Sequence, residues 1–203
     1  PQWQYSASCN ARRTAGPLRL RPADNASVDF MGFRYRDSSV SAGQLALRQW
    51  QNLANAGSVS LYIMGHLDNH KDRTALNASK AAFAFHRKHE ALYRGLQSAA
   101  KVLLVTKPIM ARSDPEVYGW VRALTESHIP FDEVKPAELT PELLRRWDVV
   151  ILGDVKQCSP QQTTMLDAYA AQGGIVLASG SAPALQCLGV ERVQAKHTDC
   201  MST

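Results

Sequence analysis

No apolar run in this sequence approaches the roughly 18 residues that a membrane-spanning helix needs, and no membrane partner is expected. The four cysteines, Cys9, Cys158, Cys187 and Cys200, include no C-x-x-C pair and share no spacing with a histidine pair, which argues against a zinc ribbon or finger. Free thiols are the default, and a Cys187–Cys200 bridge would need an oxidising compartment. A signal-peptide pattern is missing too, but the first residue is Pro1 rather than Met, so the compartment is not read from this end. Two N-x-S/T sequons, at Asn25 and Asn77, are too common by chance to locate the protein.

Other absences bear on chemistry. A dinucleotide-binding loop needs glycines between a strand and its helix, and the turn "TKPIMARSDPE" (106–116) has none. The nucleophile elbow G-x-S-x-G does not occur; "ASGSAP" (178–183), with Ser179 and Ser181, reads as a plain strand-to-loop turn. Cys158 precedes a helix start, where a thiol can gain reactivity, but no histidine can be assigned to it. The net charge is +5, densest at Arg12, Arg13, Arg19 and Arg21 with Arg34 and Arg36 further on. Without interleaved aromatics or a known module this basic stretch does not point to nucleic acid.

What is present is ordinary globular material: 203 residues, 45% hydrophobic and 20% charged, enough for one large domain or two small ones. Residues 1–27 show no clear period and read as irregular. "VDFMGFRYR" (28–36) and "VSLYIM" (59–64) read as strands, with a helix over 41–57 between them that turns Leu45, Leu47, Trp50, Leu53 and Ala54 to one side. A long helix is expected from an Asn77 cap to Ser98, with Phe85, His89, Leu92 and Leu96 facing a core.

The second half alternates more regularly. Buried strands are expected at "KVLLVT" (101–106), "DVVILGD" (148–154) and "GIVLAS" (174–179), with a weaker one near "FDEVKP" (131–136). Three helices open on a capping residue followed by proline, at Asp114-Pro115, Thr140-Pro141 and Ser159-Pro160. Continuous apolar strands alternating with helices predict a small doubly wound parallel sheet covered on both faces.

Between the halves lies "YIMGHLDNHKDRT" (62–74). In extended geometry His66, Asp68 and His70 would share one side, and these are residue types that hold zinc. Metal sites usually draw ligands from several elements, so a metal role ranks behind a ligand rim or a solvated loop; no cofactor is expected. Loops at the carboxyl ends of parallel strands are where α/β architectures bind ligands.

The order "SAGQLALRQWQNLANAGSVSLYIMG", polar loop, long helix, "KVLLV" resembles the end of the catalytic barrel in β-galactosidases of glycoside hydrolase family 42 and their relatives. "LANAG" (53–57) is similar to the turn before the eighth barrel strand, and "VSLYIMG" to that strand. "FDEVKPAELTPELLRRWDVVILGDVKQCSPQQTTMLDAYAAQGGIVLASG" (131–180) resembles the family's flavodoxin-like trimerisation domain, which is distantly like class I glutamine amidotransferases. The resemblance implies an α/β chain carrying the last strand–helix units of a (β/α)8 barrel (1–99) and then a small doubly wound flavodoxin-like domain (100–203).

It further implies a portion of a longer carbohydrate-acting hydrolase, and a homo-oligomer. The family's nucleophile glutamate would fall in "FRYRDSS" (33–39), which holds Arg34, Tyr35, Arg36 and Asp37 but no glutamate. Asp37 could stand in its place; otherwise double displacement is not supported by these residues. The amidotransferase-like domain likewise lacks its cysteine, so its expected role is assembly. Arg34, Tyr35, Arg36, His66, Asp68, Asn69 and His70 are then the expected sugar-facing groups, the arginines suiting a carboxylate-bearing sugar. Two other readings are a non-catalytic scaffold, and a small-ligand site at the carboxyl ends of the second-half strands near Lys107, Asp154 and Ser181.

Overall fold

The computed structural model describes residues 4–16, 23–106 and 115–189. Two compact units emerge: Pro1–Ala100 with Tyr118–Val134, and Lys101–Val117 with Lys135–Thr203.

The first unit opens on a helix where an irregular segment was expected. Helix α1 (Ser6–Ala15) buries Ala7, Ala11 and Ala15, a stripe of small residues at four-residue spacing, together with Cys9 and Arg12. Alanine carries little hydrophobic contrast, so the stripe gives a weak periodic signal. The segments 23–29 and 57–62 then run parallel, with bridges Ala23↔Gly57 and Val28↔Tyr62. Hydrogen bonds from Ser58 N to Ala23 O (2.7 Å), Tyr62 N to Ser27 O (2.9 Å) and Asp29 N to Tyr62 O (2.9 Å) hold them. Helix α2 (Ala42–Ala54) connects the two segments, and α3 (Leu76–Tyr93) follows the second.

The expected strand over 28–36 stops near Phe30. Beyond it the backbone satisfies itself locally in a 3-10 turn, Phe33–Tyr35. The strand expected over 59–64 is likewise only a bridged extended segment.

Helix α2 starts at Ser41, whose hydroxyl accepts the Gln44 N–H, as expected of a cap. Its buried side holds Leu45 and Leu53 but also Gln49 and Asn52, while Leu47 and Trp50 are largely exposed. Asn52 Nδ2 donates to Asn25 O (2.8 Å), and Gln49 Nε2 donates to Ser60 O (3.1 Å) and Ser79 Oγ (2.8 Å). Buried amides thus stitch the helix to both extended segments and to α3, which is why they sit where leucines would be expected. The exit turn is tight: Ala56 adopts a left-handed φ of 59°, and a Cβ on Gly57 would lie 3.0 Å from Asn52 O and 3.3 Å from Ala11 Cβ.

Helix α3 also departs from expectation. Ala75, not Asn77, precedes its first turn, and the buried positions are Leu76, Ser79 and Ala82. Phe85, Leu92 and Leu96 are exposed; Phe85 packs edge-on to Trp50 at 5.1 Å. Small residues at Ser79 and Ala82 let α2 and α3 approach closely, and the large side chains turn outward.

Residues 118–134 belong with this unit through α1. They hold most of helix α4 (Pro115–Glu126) and strand β2 (Phe131–Val134). Glu133, its side chain fully buried, faces Arg12 Nε at 3.0 Å and Arg13 Nε at 2.6 Å, and the Arg12 guanidinium lies 4.2 Å from the Phe131 ring centroid. On α4 the spacing of Val117, Trp120, Val121 and Leu124 predicts one buried face; Val117, Val121 and Leu124 are buried, and Trp120 is half-buried.

The sheet has four strands in the order β2-β1-β3-β4, with β1 at Val102–Thr106, β3 at Val149–Gly153 and β4 at Ile175–Ser179. β1 and β3 pair in parallel from Val102↔Val149 to Thr106↔Gly153, and β3 and β4 from Val149↔Ile175 to Gly153↔Ser179. β1 and β3 are buried almost throughout, the condition that continuous apolar strands report. Full cover on both faces does not extend to β4, where Ile175 and Leu177 are 52% and 42% exposed.

Helix starts in this half follow the proline rule. Thr140 Oγ1 accepts from Leu143 N at α5 (Pro141–Leu144), and Ser159 with Gln162 forms a capping box at α6 (Pro160–Ala171). Asp114 lies outside the described residues. The Tyr169 hydroxyl of α6 donates to Trp147 O (3.0 Å), with its ring over Gly174, where a Cβ would come within 2.2 Å of the ring.

Candidate functional site

Parallel pairing sends the loops leaving 23–29 and 57–62 to the same end of the first unit. The loop after the first segment is apolar and aromatic: Met31, Phe33 and Tyr35 are 67%, 68% and 62% exposed. Phe30 contacts both Phe33 and Tyr62, with ring centroids 5.7 Å apart in each case. Arg34, Arg36 and Asp37 are exposed on the same turn, where Arg36 Nη1 donates to Phe33 O (3.3 Å). His66, Asp68 and Asn69 are exposed on the second loop.

His70 is not. Its side chain is 4% exposed, and its Nε2 lies 3.8 Å from Asp29 Oδ2. The expectation of a sugar-facing His70 is therefore corrected. The residue packs inward against Asp29, whose side chain is itself fully buried. Both facing atoms, His70 Nε2 and Asp29 Oδ2, lack a hydrogen bond. The trio His66, Asp68 and His70 is split between surface and interior, and among the described residues no three His, Cys, Asp or Glu groups could hold a metal ion.

Three residues organise the loops and were not singled out by motif. The Arg73 guanidinium donates to the carbonyls of Leu67 (3.0 Å), Asp68 (2.8 Å) and His70 (3.1 Å), folding the second loop around one fork. Asp72 accepts Ser39 N on one oxygen (2.9 Å) and Thr74 N (3.1 Å) and Oγ1 (2.6 Å) on the other. The Thr74 hydroxyl, then the backbone N–H groups of Ser39 and Thr74, hold the Asp72 carboxyl below the usual carboxylate range. Ser39 in turn donates its hydroxyl to Asp29 Oδ1 (2.5 Å) and accepts Ala75 N (3.3 Å). Arg48 of α2 donates to Val28 O; burial pulls its pKa down, and the nearby Asp29 charge works against that. The one signal in the sequence was an acid, Asp29, set between Val28 and Phe30, because a carboxylate in an apolar strand needs a partner.

In the second unit, Asp154 and Ser181 are together but bonded to each other: Ser181 N donates to Asp154 Oδ1 (3.0 Å), and Asp154 N to Ser179 O (3.0 Å). They close a turn between the carboxyl ends of β3 and β4. Lys107 lies outside the described residues. Cys9, Cys158 and Cys187 are free, and Cys200 is outside the described residues. Burial, then the Glu133 charge, pushes the Cys9 thiol up to about 12.

No family model matches the sequence, and no curated protein matches it. Among solved structures the chain's α/β fold has similar ones. It is similar to alpha-L-fucosidase isoenzyme 2 from Paenibacillus thiaminolyticus, at 22% identity and a TM-score of 0.64, over 88% of this chain and 27% of that one. It is also similar to a β-galactosidase from Bacillus circulans sp. alkalophilus, at 16% identity and a TM-score of 0.65, over 88% of this chain and 30% of that one. The chain spans less than a third of either structure, and at these identities the likeness is one of fold.

Proposed function

We propose that this chain is part of a carbohydrate-acting protein of the glycoside hydrolase type, of which the family 42 β-galactosidases are the suggested relatives. In it the first unit supplies a sugar-facing rim and the second an assembly module. The observation that carries the reading is the pairing of two parallel segments whose departing loops emerge at one end. That is where barrel folds place their ligands, and the fold likeness to two glycosidases agrees with it.

The rim groups are Arg34, Tyr35 and Arg36 on the first loop and His66, Asp68 and Asn69 on the second. Exposed aromatics offer faces for sugar C–H edges, and two guanidinium forks suit a carboxylate. Bond cleavage is not assigned to these residues, since 33–39 offers Asp37 and no glutamate.

Titration of the 15N-labelled chain with glucuronate, galacturonate, galactose and fucose tests the rim. Shifts at 33–37 and 66–69, larger for the uronates, are expected. Uniform silence at millimolar sugar, with a stable oligomer in light scattering, would favour the scaffold reading instead.

A further inference from the structure

We infer that Asp72 is a positioning residue that locks the two rim loops to each other through Ser39. This rests on the rim reading for its purpose, but its geometry stands independently. Ser39 has its polar groups committed in three directions: its N–H to Asp72, its hydroxyl to Asp29, and its oxygen to the Ala75 N–H at the start of α3. Asp72 is equally committed, one oxygen to Ser39 and the other to Thr74. With each oxygen holding a different segment, the carboxylate joins the end of one loop to the end of the other.

The rim residues sit just upstream of these two anchors. Arg34, Tyr35 and Arg36 precede Ser39, and His66, Asp68 and Asn69 precede Asp72, each by a few residues. The two loops differ in what else holds them. Arg73 folds 67–70 around its guanidinium without help from Asp72, whereas Ser39 is the tether that ties the end of the first loop to the second. Removing Asp72 should therefore leave the second loop folded and free the first to move against it. The depressed Asp72 pKa agrees with a carboxylate that is charged when it holds Ser39 and Thr74.

The test is site-resolved amide exchange on the 203-residue chain, comparing the wild type with Asp72→Ala and Asp72→Asn. In Asp72→Ala the protection of the Ser39 and Thr74 amides should fall at least tenfold, while the Arg73 Nε–H signal and amides in α2 and β3 stay unchanged. Asp72→Asn, which keeps one acceptor oxygen, should restore part of that protection. Its protection should also be independent of acidification, whereas the wild type loses protection as Asp72 takes up its proton.

Unchanged exchange at Ser39, or a rise spread evenly over the first unit, would overturn the inference. A glucuronate titration on the same samples separates the two claims. Weaker binding by threefold or more in Asp72→Ala supports positioning of a sugar rim. Local exchange changes with no glucuronate response in the wild type keep the lock and remove the rim reading.

Discussion

The two units hold themselves together by different means. In the second, β1 and β3 bury runs of Val, Leu and Ile, and polar side chains work at helix starts and turns. In the first, the buried set includes Arg12, Ser27, Asp29, Gln49, Asn52, His70, Ser79 and Glu133. Apolar burial is non-directional and tolerant of small shifts. A buried carboxylate or amide is tolerated only in the one geometry that satisfies it, and removing its partner costs the full desolvation penalty. The first unit therefore trades tolerance for fixed placement of the loops at its strand ends.

The sharpest way to break this contrast is at Glu133. Glu133→Ala leaves Arg12, which is buried, and Arg13, which is partly buried, without their acid, and a loss of about 4 kcal/mol is expected for the first unit by denaturant titration. Leu152→Ala in β3 is the apolar counterpart, expected to cost about 3 kcal/mol. Glu133→Gln separates the mechanisms, since it keeps volume and loses charge. If it matches wild type in stability, the arginine pair is not a structural support.

Next in size is Gly174→Ala, which forces the Tyr169 ring away and breaks its bond to Trp147 O. About 2 kcal/mol is expected, with a change in tyrosine fluorescence. Smallest in global effect is acidification at Asp72. Its folded pKa lies below the unfolded value, so its contribution is complete above the ordinary carboxylate range near about 4 and is lost as the pH falls through the folded value. Amide exchange should report this at Ser39 and Thr74 before either unit unfolds.

Thiol labelling can tell the units apart in each variant. Cys9 is buried, with a thiol pushed up to about 12, and should resist alkylation until the first unit opens. Cys187 in the second unit is exposed, with a thiol pushed up to about 11 by burial first and then Asp167, so it should label slowly but without unfolding.

The same contrast explains what the sequence disclosed. β1, β3, the Ser159-Pro160 helix start and most of the buried stripe of α4 were legible because apolar runs, caps and helical spacing are local signals. Helix α1 was not, since its buried stripe is alanine. The faces of α2 and α3 were misjudged because Gln49, Asn52 and Ser79 occupy the interior while Trp50 and Phe85 turn outward. At the loops the exposed candidates, Arg34, Tyr35, Arg36, His66, Asp68 and Asn69, were named from the family resemblance and from their place after strand-like segments. Of the residues that arrange them, Asp29 was signalled by its apolar neighbours, while Ser39 and Asp72 were hidden because their partners are 10 and 33 positions apart in the chain. Such pairs exist only once the two segments lie side by side.

The end where both loops emerge is proposed as a carbohydrate-facing rim. The most direct measurement is the chemical-shift map of the 203-residue chain titrated with glucuronate. Saturable shifts at Arg34, Tyr35, Arg36, His66 and Asn69 are expected, with none at Asp154 or Ser181. Shifts confined to Asp154 and Ser181, or silence at both sites, would contradict it.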